Sequence, residues 1–260
     1  MIDLVGFTGL FLAAVIAGAI NSVAGGGTLI TFPSLVAFGE TEIISNATNT
    51  AALWPGTLSS ALGYKKDTFV NRGLLTLLLV PSLIGGLIGA FILVVTSERT
   101  FRLVVPCLIL FTTLLFAARK TISRKLVIGS SERIVTTKTK IGGFFFQLFV
   151  AAYGGYFGAG IGILMLGSLS MMGLRDVHEM NAMKNALSTI INVTAFVFFA
   201  AKGLVVWPLM FLMALGAIVG GYVGARSAKR IKENYLHFFI MAIGLIISAW
   251  FVLRLFQQAT

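Results

Sequence analysis

Two sets of polar side chains stand inside otherwise apolar stretches of this 260-residue chain. In the first half they are Asn46, Thr48, Asn49 and Thr50; in the second, Asn181, Lys184 and Asn185, with Asn192 two turns further on. Spacings of three and four put the amides and the lysine of each set on one helix face. Amides, hydroxyls and one ammonium, with no carboxylate among them, suit an oxyanion, which needs donors and is repelled by negative charge. Both sets are expected near the starts of helices, where unpaired N–H groups and the positive dipole end favour an anion. Lys184 adds a full charge, and Asn49 is its neutral counterpart. The competing reading has Lys184 snorkelling to the cytoplasmic interface and the amides gluing helices together. Catalysis finds no constellation. The two histidines, His178 and His237, are far apart, and all nine carboxylates are expected at loops or segment ends. There is no HExxH, nucleophile elbow or P-loop. An enzyme is not expected, nor a cofactor or metal site.

A second signal is backbone rather than side chain. Asn21-Ser22-Val23-Ala24-Gly25-Gly26-Gly27-Thr28 interrupts an apolar run and returns in altered form as Gly154-Gly155-Tyr156-Phe157-Gly158-Ala159-Gly160-Ile161-Gly162. Adjacent glycines cost helix stability and uncover backbone polar groups. In hydrocarbon such groups must find partners inside the protein or in a water-filled cavity. A doubled, glycine-broken hydrophobic segment points to a transport site near the membrane midplane; the alternative is that the glycines only let helices pack closely. The candidate ligand-facing residues are thus Asn21, Gly25, Gly26, Gly27, Thr28, Thr48, Asn49, Gly158, Gly160, Gly162, Asn181, Lys184 and Asn185. Gly85-Gly86-x-x-Gly89-Ala90 and Gly220-Gly221-x-x-Gly224-Ala225 are expected to be helix-packing faces with no ligand role.

The elements that must hold these residues are membrane helices. With 57% hydrophobic and 11% charged residues and a mean hydropathy of +0.96, the chain is an all-α integral membrane protein in contact with a lipid bilayer. Apolar runs fall at about 4–22, 28–38, 46–64, 73–95 and 101–118, then 141–157, 161–172, 181–200, 206–225 and 236–256. The second and seventh span only about half the hydrocarbon thickness and read as broken or re-entrant helices. Cys107 is the only cysteine, so no intramolecular disulfide forms. Met1-Ile2-Asp3-Leu4 lacks a basic leader region, so the first segment is expected to be retained. The net charge of +11 lies in loops rather than on one soluble face, which argues against nucleic acid.

The chain also repeats itself. Adding 135 takes Asn46-Ala47 onto Asn181-Ala182, Gly85-Gly86 onto Gly220-Gly221 and Glu98 onto Glu233; adding 134 takes Gly26 onto Gly160 and Gly39 onto Gly173. Such a register means two homologous halves: membrane repeats at 1–118 and 141–260, joined by a basic linker at 119–140. Five segments per half make the repeats inverted. That arrangement gathers sixteen of the twenty Lys and Arg on one side, leaving Arg99, Arg102, Lys202 and Arg254 on the other. The positive-inside rule then puts the linker in the cytoplasm and both termini outside.

Asn21-Ser22-x-Ala24-Gly25-Gly26-Gly27, Pro33, Gly39 and Asn46-Ala47-Thr48-Asn49 resemble the first half of the sulfite exporter TauE/SafE family. Gly158-x-Gly160-x-Gly162, Gly173 and Asn181-Ala182 look like its diverged second repeat. The resemblance covers nearly the whole chain. It implies a bacterial inner-membrane permease, usually an exporter, for sulfite, sulfoacetate or other organosulfonates, with the glycine loops and the Thr48-Asn49 region as binding elements. Two residues depart from the pattern: Gly167 where the first half has Pro33, and Met183-Lys184-Asn185 where a small residue and Thr or Ser are usual. The extra lysine points to a larger or more highly charged anion than sulfite. The expectation is a secondary transporter of a small organic or sulfur oxyanion working by alternating access. An anion channel or facilitator and a non-transporting scaffold subunit are its rivals. Small-residue faces allow a homodimer without demanding one.

Overall fold

The computed structural model describes residues 2–64, 71–128, 137–174, 176–228 and 233–259. Among them every regular element is a helix: α1 (Ile2–Val23), α2 (Thr28–Phe38), α3 (Glu42–Gly63), α4 (Arg72–Val95), α5 (Glu98–Ile128), α6 (Thr137–Tyr156), α7 (Ile161–Met171), α8 (Val177–Ala201), α9 (Trp207–Ser227) and α10 (Glu233–Ala259). Six stretches are long and apolar enough to cross a membrane, in α1, α4, α5, α8, α9 and α10. The chain is therefore a multi-pass, all-α membrane protein. The helix α3 is also 22 residues long but carries Ser45, Asn46, Thr48, Asn49 and Thr50 as buried polar side chains.

The short helix α2 begins and ends where its apolar run does, and α7 ends one residue before its own. Each has eleven residues, about 16 Å at 1.5 Å per residue. Gly39, at φ 119°, closes α2: its N–H reaches Val36 O, and the N–H of Glu40 reaches Leu35 O. Gly173 (φ 94°) closes the other, with Leu174 N–H on Leu169 O. Only a residue free of a Cβ takes this left-handed turn without strain.

Several element boundaries differ from the sequence expectation; α6, for one, starts at Thr137, inside the expected linker. The helices α3 and α8 start four residues earlier than the apolar runs, at Glu42 and Val177. Glu42 and Asp176 supply the reason: an acid in the first turn of α3, and an N-cap carboxylate on the N–H groups of His178 and Glu179 at 2.8 Å, extend a helix into polar sequence. Asn46 and Asn181 thus lie inside their helices. The N–H groups just before them are already laddered, Ser45 to Thr41 O and Met180 to Asp176 O, so neither set sits at a free helix start. The helix α5 runs on to Ile128, through ten residues of the expected linker; 129–136 lie outside the described residues.

The helix pairings are symmetrical. The helix α4 lies against α6 and α8, and α9 lies against α1 and α3. Replacing each helix of the first five by the one five places on, and the reverse, returns the principal pairings. The fourth helix of each half is therefore embedded in the other half. Its small-residue face permits this. A Cβ on Gly85 would lie 2.6 Å from the Ala151 Cβ, and one on Gly224 would lie 2.7 Å from the Ala19 Cα. These faces are packing faces, as expected.

Candidate functional site

The site begins where α1 and α6 stop. The N–H groups of Ala24 and Gly25 both turn back to Ile20 O, at 2.8 and 3.1 Å, and those of Phe157 and Gly158 both turn back to Tyr153 O, at 2.9 and 3.3 Å. Gly25 and Gly158 adopt φ of 80° and 79°, so the same left-handed stop is built twice. Different side chains hold the two turns. Asn21 Oδ1 accepts the N–H of Gly27 at 2.7 Å. In the second half the Tyr153 hydroxyl donates to Ala159 O at 2.9 Å, with Thr112 Oγ1 3.1 Å from the same oxygen.

Beyond the turns the two short helices start face to face. A Cβ on Gly25 would lie 2.6 Å from Gly162 Cα, and one on Gly162 would lie 2.8 Å from Gly25 Cα. The first N–H groups of a helix have no partner within it. Among the described residues no acceptor meets those of Thr28, Ile161 and Gly162. Two positive dipole ends thus converge on one place.

That place is a polar cavity. Its volume is about 30 Å³, room for roughly two waters. Eight of the thirteen candidate residues line it: Asn21, Gly25, Thr28, Asn49, Gly158, Gly162, Lys184 and Asn185. Thr50, Leu53, Thr57, Ile161, Ser188 and Asn192 complete the wall, and no carboxylate is in it. The unselected polar residues carry a legible signal, since Asn49, Leu53 and Thr57 are spaced by four and Asn185, Ser188 and Asn192 by three and four, continuing one face of α3 and one of α8.

The other five candidates are close by with other tasks. Gly26 is packed against Phe116 and Ile240, and Gly160 (φ 75°) against Thr112. Gly27 lies against the backbone of Ala17. Thr48 Oγ1 accepts the N–H of Val206 at 3.1 Å, tying α3 to the segment before α9. Asn181 Oδ1 accepts from Lys184 at 2.9 Å.

Lys184 is only 1% exposed, so it does not snorkel to an interface. Its Nζ donates to Asn21 O (2.9 Å), Ser22 O (3.2 Å) and Asn181 Oδ1. Two of these are last-turn carbonyls of α1, where a cation offsets the negative dipole end. The lysine therefore fastens α8 to α1 besides lining the cavity. Asn185 does the same, its Nδ2 donating to Ser22 O at 3.0 Å, while its Oδ1 is buried without a partner among the described residues. On the opposite wall Asn49 Oδ1 accepts from the Thr31 hydroxyl, and its Nδ2 lies 3.5 Å from Thr28 Oγ1.

From the cavity α2 runs toward a different kind of layer. Phe32 stacks on Phe251 (centroids 5.7 Å apart, 11° between planes) and meets Phe157 and Phe101 edge-on. Past these rings Glu42, 1% exposed, pairs with Arg102 Nε at 3.1 Å and lies 3.8 Å from an Arg254 Nη. Glu98 Oε1 accepts the N–H of Ile43 at 3.0 Å. The expectation that every carboxylate lies in a loop or at a helix end holds for Glu42 by position, at the start of α3, but not by environment. Two arginines from α5 and α10 make its burial tolerable.

Residues 10–251 match the family described as sulfite exporter TauE/SafE. Over 241 residues the chain is 26% identical to a protein of Haemophilus influenzae, covering 92% of each. It is 30% identical over 224 residues to the ORF9 protein of a Sinorhizobium species, covering 84% of this chain and 82% of that one. A third relative, YfcA of Escherichia coli, is 26% identical over 245 residues, 92% of this chain and 87% of its own. All three bear the name "probable membrane transporter protein". No solved structure matches the chain.

Proposed function

Because the chain belongs to the sulfite exporter TauE/SafE family of membrane transporters, we propose that its cargo is a small oxyanion, a sulfonate or sulfite, carried by alternating access across the bacterial inner membrane. The observation that carries this reading is the carboxylate-free cavity between the starts of α2 and α7, walled by amides, hydroxyls and Lys184. Free N–H groups and hydroxyls answer the oxygens of such an anion, and no wall charge repels it. The small volume favours a compact head group such as SO3 over a bulky ligand. The roles go to the N–H groups of Thr28, Ile161 and Gly162, to the Asn49 and Thr28 side chains, and to the Asn185 amide.

The helix pairings that survive exchange of the two halves support two related repeats. The charge distribution supports their inversion, with the linker cytoplasmic. Rocking of such halves about a shared site is the expected cycle. With no carboxylate in the cavity, the membrane potential favours export of an anion that moves without a counter-ion, by about 2.3 kcal/mol per charge per 100 mV.

The test is anion-induced thermal stabilisation of the purified protein with sulfite, sulfate, sulfoacetate, taurine and acetate, repeated on Thr28→Val and Asn49→Leu. A ligand of the native state raises the melting temperature once it exceeds its dissociation constant. A sulfonate- or sulfite-selective rise that disappears in both variants supports the site. No rise with any of these anions at tens of millimolar refutes it and favours a scaffold. Flux of the same anions in proteoliposomes, measured with and without unlabelled anion on the far side, separates a carrier from a channel.

A further inference from the structure

We infer that the C-terminus of α6 and the Asn46 amide form a binding site for a sodium ion, the counterpart in the first half of the place the Lys184 ammonium takes in the second. In α1 the turn begins when Ile20 O takes two N–H groups; the next two carbonyls, of Asn21 and Ser22, then take the ammonium of Lys184. The last turn of α6 is built in the same way, with Tyr153 O taking two N–H groups. Its next two carbonyls belong to Gly154 and Gly155. Both residues are buried, and among the described residues no donor reaches either oxygen.

The side chains around this helix end complete the comparison. The repeat sets Asn49 at the place of Lys184, and its shorter side chain turns to Thr28 and Thr31 instead. Asn46 stands at the place of Asn181, whose Oδ1 receives the ammonium. Asn46 is fully buried, its Nδ2 donates to Tyr156 O at 2.8 Å, and its Oδ1 has no partner among the described residues. The bond to Tyr156 fixes which end of the amide is oxygen, because the reverse would set two oxygens together. The end of α6 thus presents three unanswered oxygens at the negative end of a helix dipole.

Their chemistry selects the occupant. All three are neutral, so a divalent ion, which takes carboxylates, is poorly served, and amide oxygens do not hold a proton near neutral pH. Carbonyls at broken-helix ends are the usual ligands of sodium in secondary transporters. The site also borders the cavity. Gly158 and Asn49 line that space, and a Cβ on Gly158 would lie 3.1 Å from Gly154 O. A cation here lies beside the bound anion, and by linkage each raises the affinity of the other. The inference goes beyond the transport reading and holds whichever sulfur anion is carried.

The experiment uses the purified full-length protein in gluconate salts of equal ionic strength, with no substrate anion. Sodium is compared with potassium and N-methylglucamine. The expected result is a melting temperature higher by roughly 3–6 °C once sodium exceeds its dissociation constant about tenfold, and one sodium bound per chain by equilibrium dialysis. Asn49→Lys supplies an ammonium from the position equivalent to Lys184 and should make the melting temperature independent of sodium. Asn46→Asp puts an oxygen where Nδ2 stood and should deepen the dependence. Asn46→Leu should abolish sodium binding; if it does not fold, the other two variants still decide. Equal melting temperatures in sodium and N-methylglucamine at several hundred millimolar would overturn the inference. So would a sodium shift unchanged in Asn49→Lys, or a shift given by potassium and not by sodium. Because no substrate is present, a failed sulfonate screen and a failed sodium site are separate results.

Discussion

Three glycine-to-alanine substitutions separate the two reasons for glycine at the meeting of the short helices. Gly39 has φ of 119° and nothing within 4 Å of a built Cβ, so Gly39→Ala meets only left-handed strain, about 1–2 kcal/mol. Gly162 lies at the start of α7 with no left-handed φ. Its Cβ would sit 2.8 Å from Gly25 Cα, 3.0 Å from Ala24 O and 3.2 Å from Lys184 Cδ. The first two are backbone atoms that cannot step aside, so overpacking costs about 1–3 kcal/mol. Gly25 meets both conditions, φ of 80° and 2.6 Å to Gly162 Cα, and Gly25→Ala should cost about 2–5 kcal/mol. At roughly 2–4 °C per kcal/mol for a chain of this size, the losses are about 2–8 °C for Gly39→Ala and 2–12 °C for Gly162→Ala. Gly25→Ala should lose about 4–20 °C, near the sum of the other two. Thermal unfolding in detergent, followed by tryptophan fluorescence, measures all three. Anion flux should fall in Gly25→Ala and Gly162→Ala, which push the two helix starts apart, and persist in Gly39→Ala. If Gly162→Ala melts and transports like the wild type, the close approach of α2 and α7 is wrong.

Glu42→Gln leaves Arg102 and Arg254 facing a neutral group. Since both arginines are about one-third exposed, the loss should be about 1–3 kcal/mol rather than that of a fully buried pair, and Arg102→Ala should cost more than Arg254→Ala; chemical denaturation of the three variants checks both. Thr48→Val removes the acceptor for the Val206 N–H and should cost about 1 kcal/mol while leaving anion-induced stabilisation intact, unlike Asn49→Leu. Gly220→Leu, at a position packed against the Val15 backbone, should prevent folding, whereas Gly142→Leu, with nothing within 4 Å, should express and melt normally.

Much of this architecture is legible in the sequence because glycine and hydropathy are strong signals in a membrane. A short apolar run between glycine-rich breaks has few ways to fold; α2 has the expected limits and α7 ends one residue early. The polar face of α3 and α8 is legible through helical spacing. What escapes is which partner each polar atom finds. Thr48 and Asn49 are adjacent and similar in sequence, yet a helix turns by about 100° per residue, so one faces Val206 and the other the cavity. The helix starts lie ahead of Asn46 and Asn181, because a single acid or N-cap extends a helix through residues that hydropathy alone assigns to a loop. The burial of Glu42 depends on arginines 60 and 212 positions away in the chain, and no local pattern carries that. The Tyr153 and Thr112 hydroxyls that brace the second glycine turn are hidden for the same reason.

The first five helices and the last five surround the cavity with unlike chemistry. The short helix of the first half leads to a stack of phenylalanines and a carboxylate shared by two arginines. Its counterpart α7 packs among aliphatic and methionine side chains, with Met165, Leu169, Met172, Met183 and Leu187 in one cluster. A hydrophobic cluster that includes methionine repacks at little cost, whereas a stacked ring and a paired, buried carboxylate hold one geometry. The lysine falls on the same side of this divide. Lys184 fixes the end of α1 to α8, while Asn49, in the matching place, leaves the end of α6 to be answered by something from outside the chain. Symmetrical helix pairings let two arrangements exist; the residues at matching positions decide which parts are locked by the chain itself and which wait for an ion.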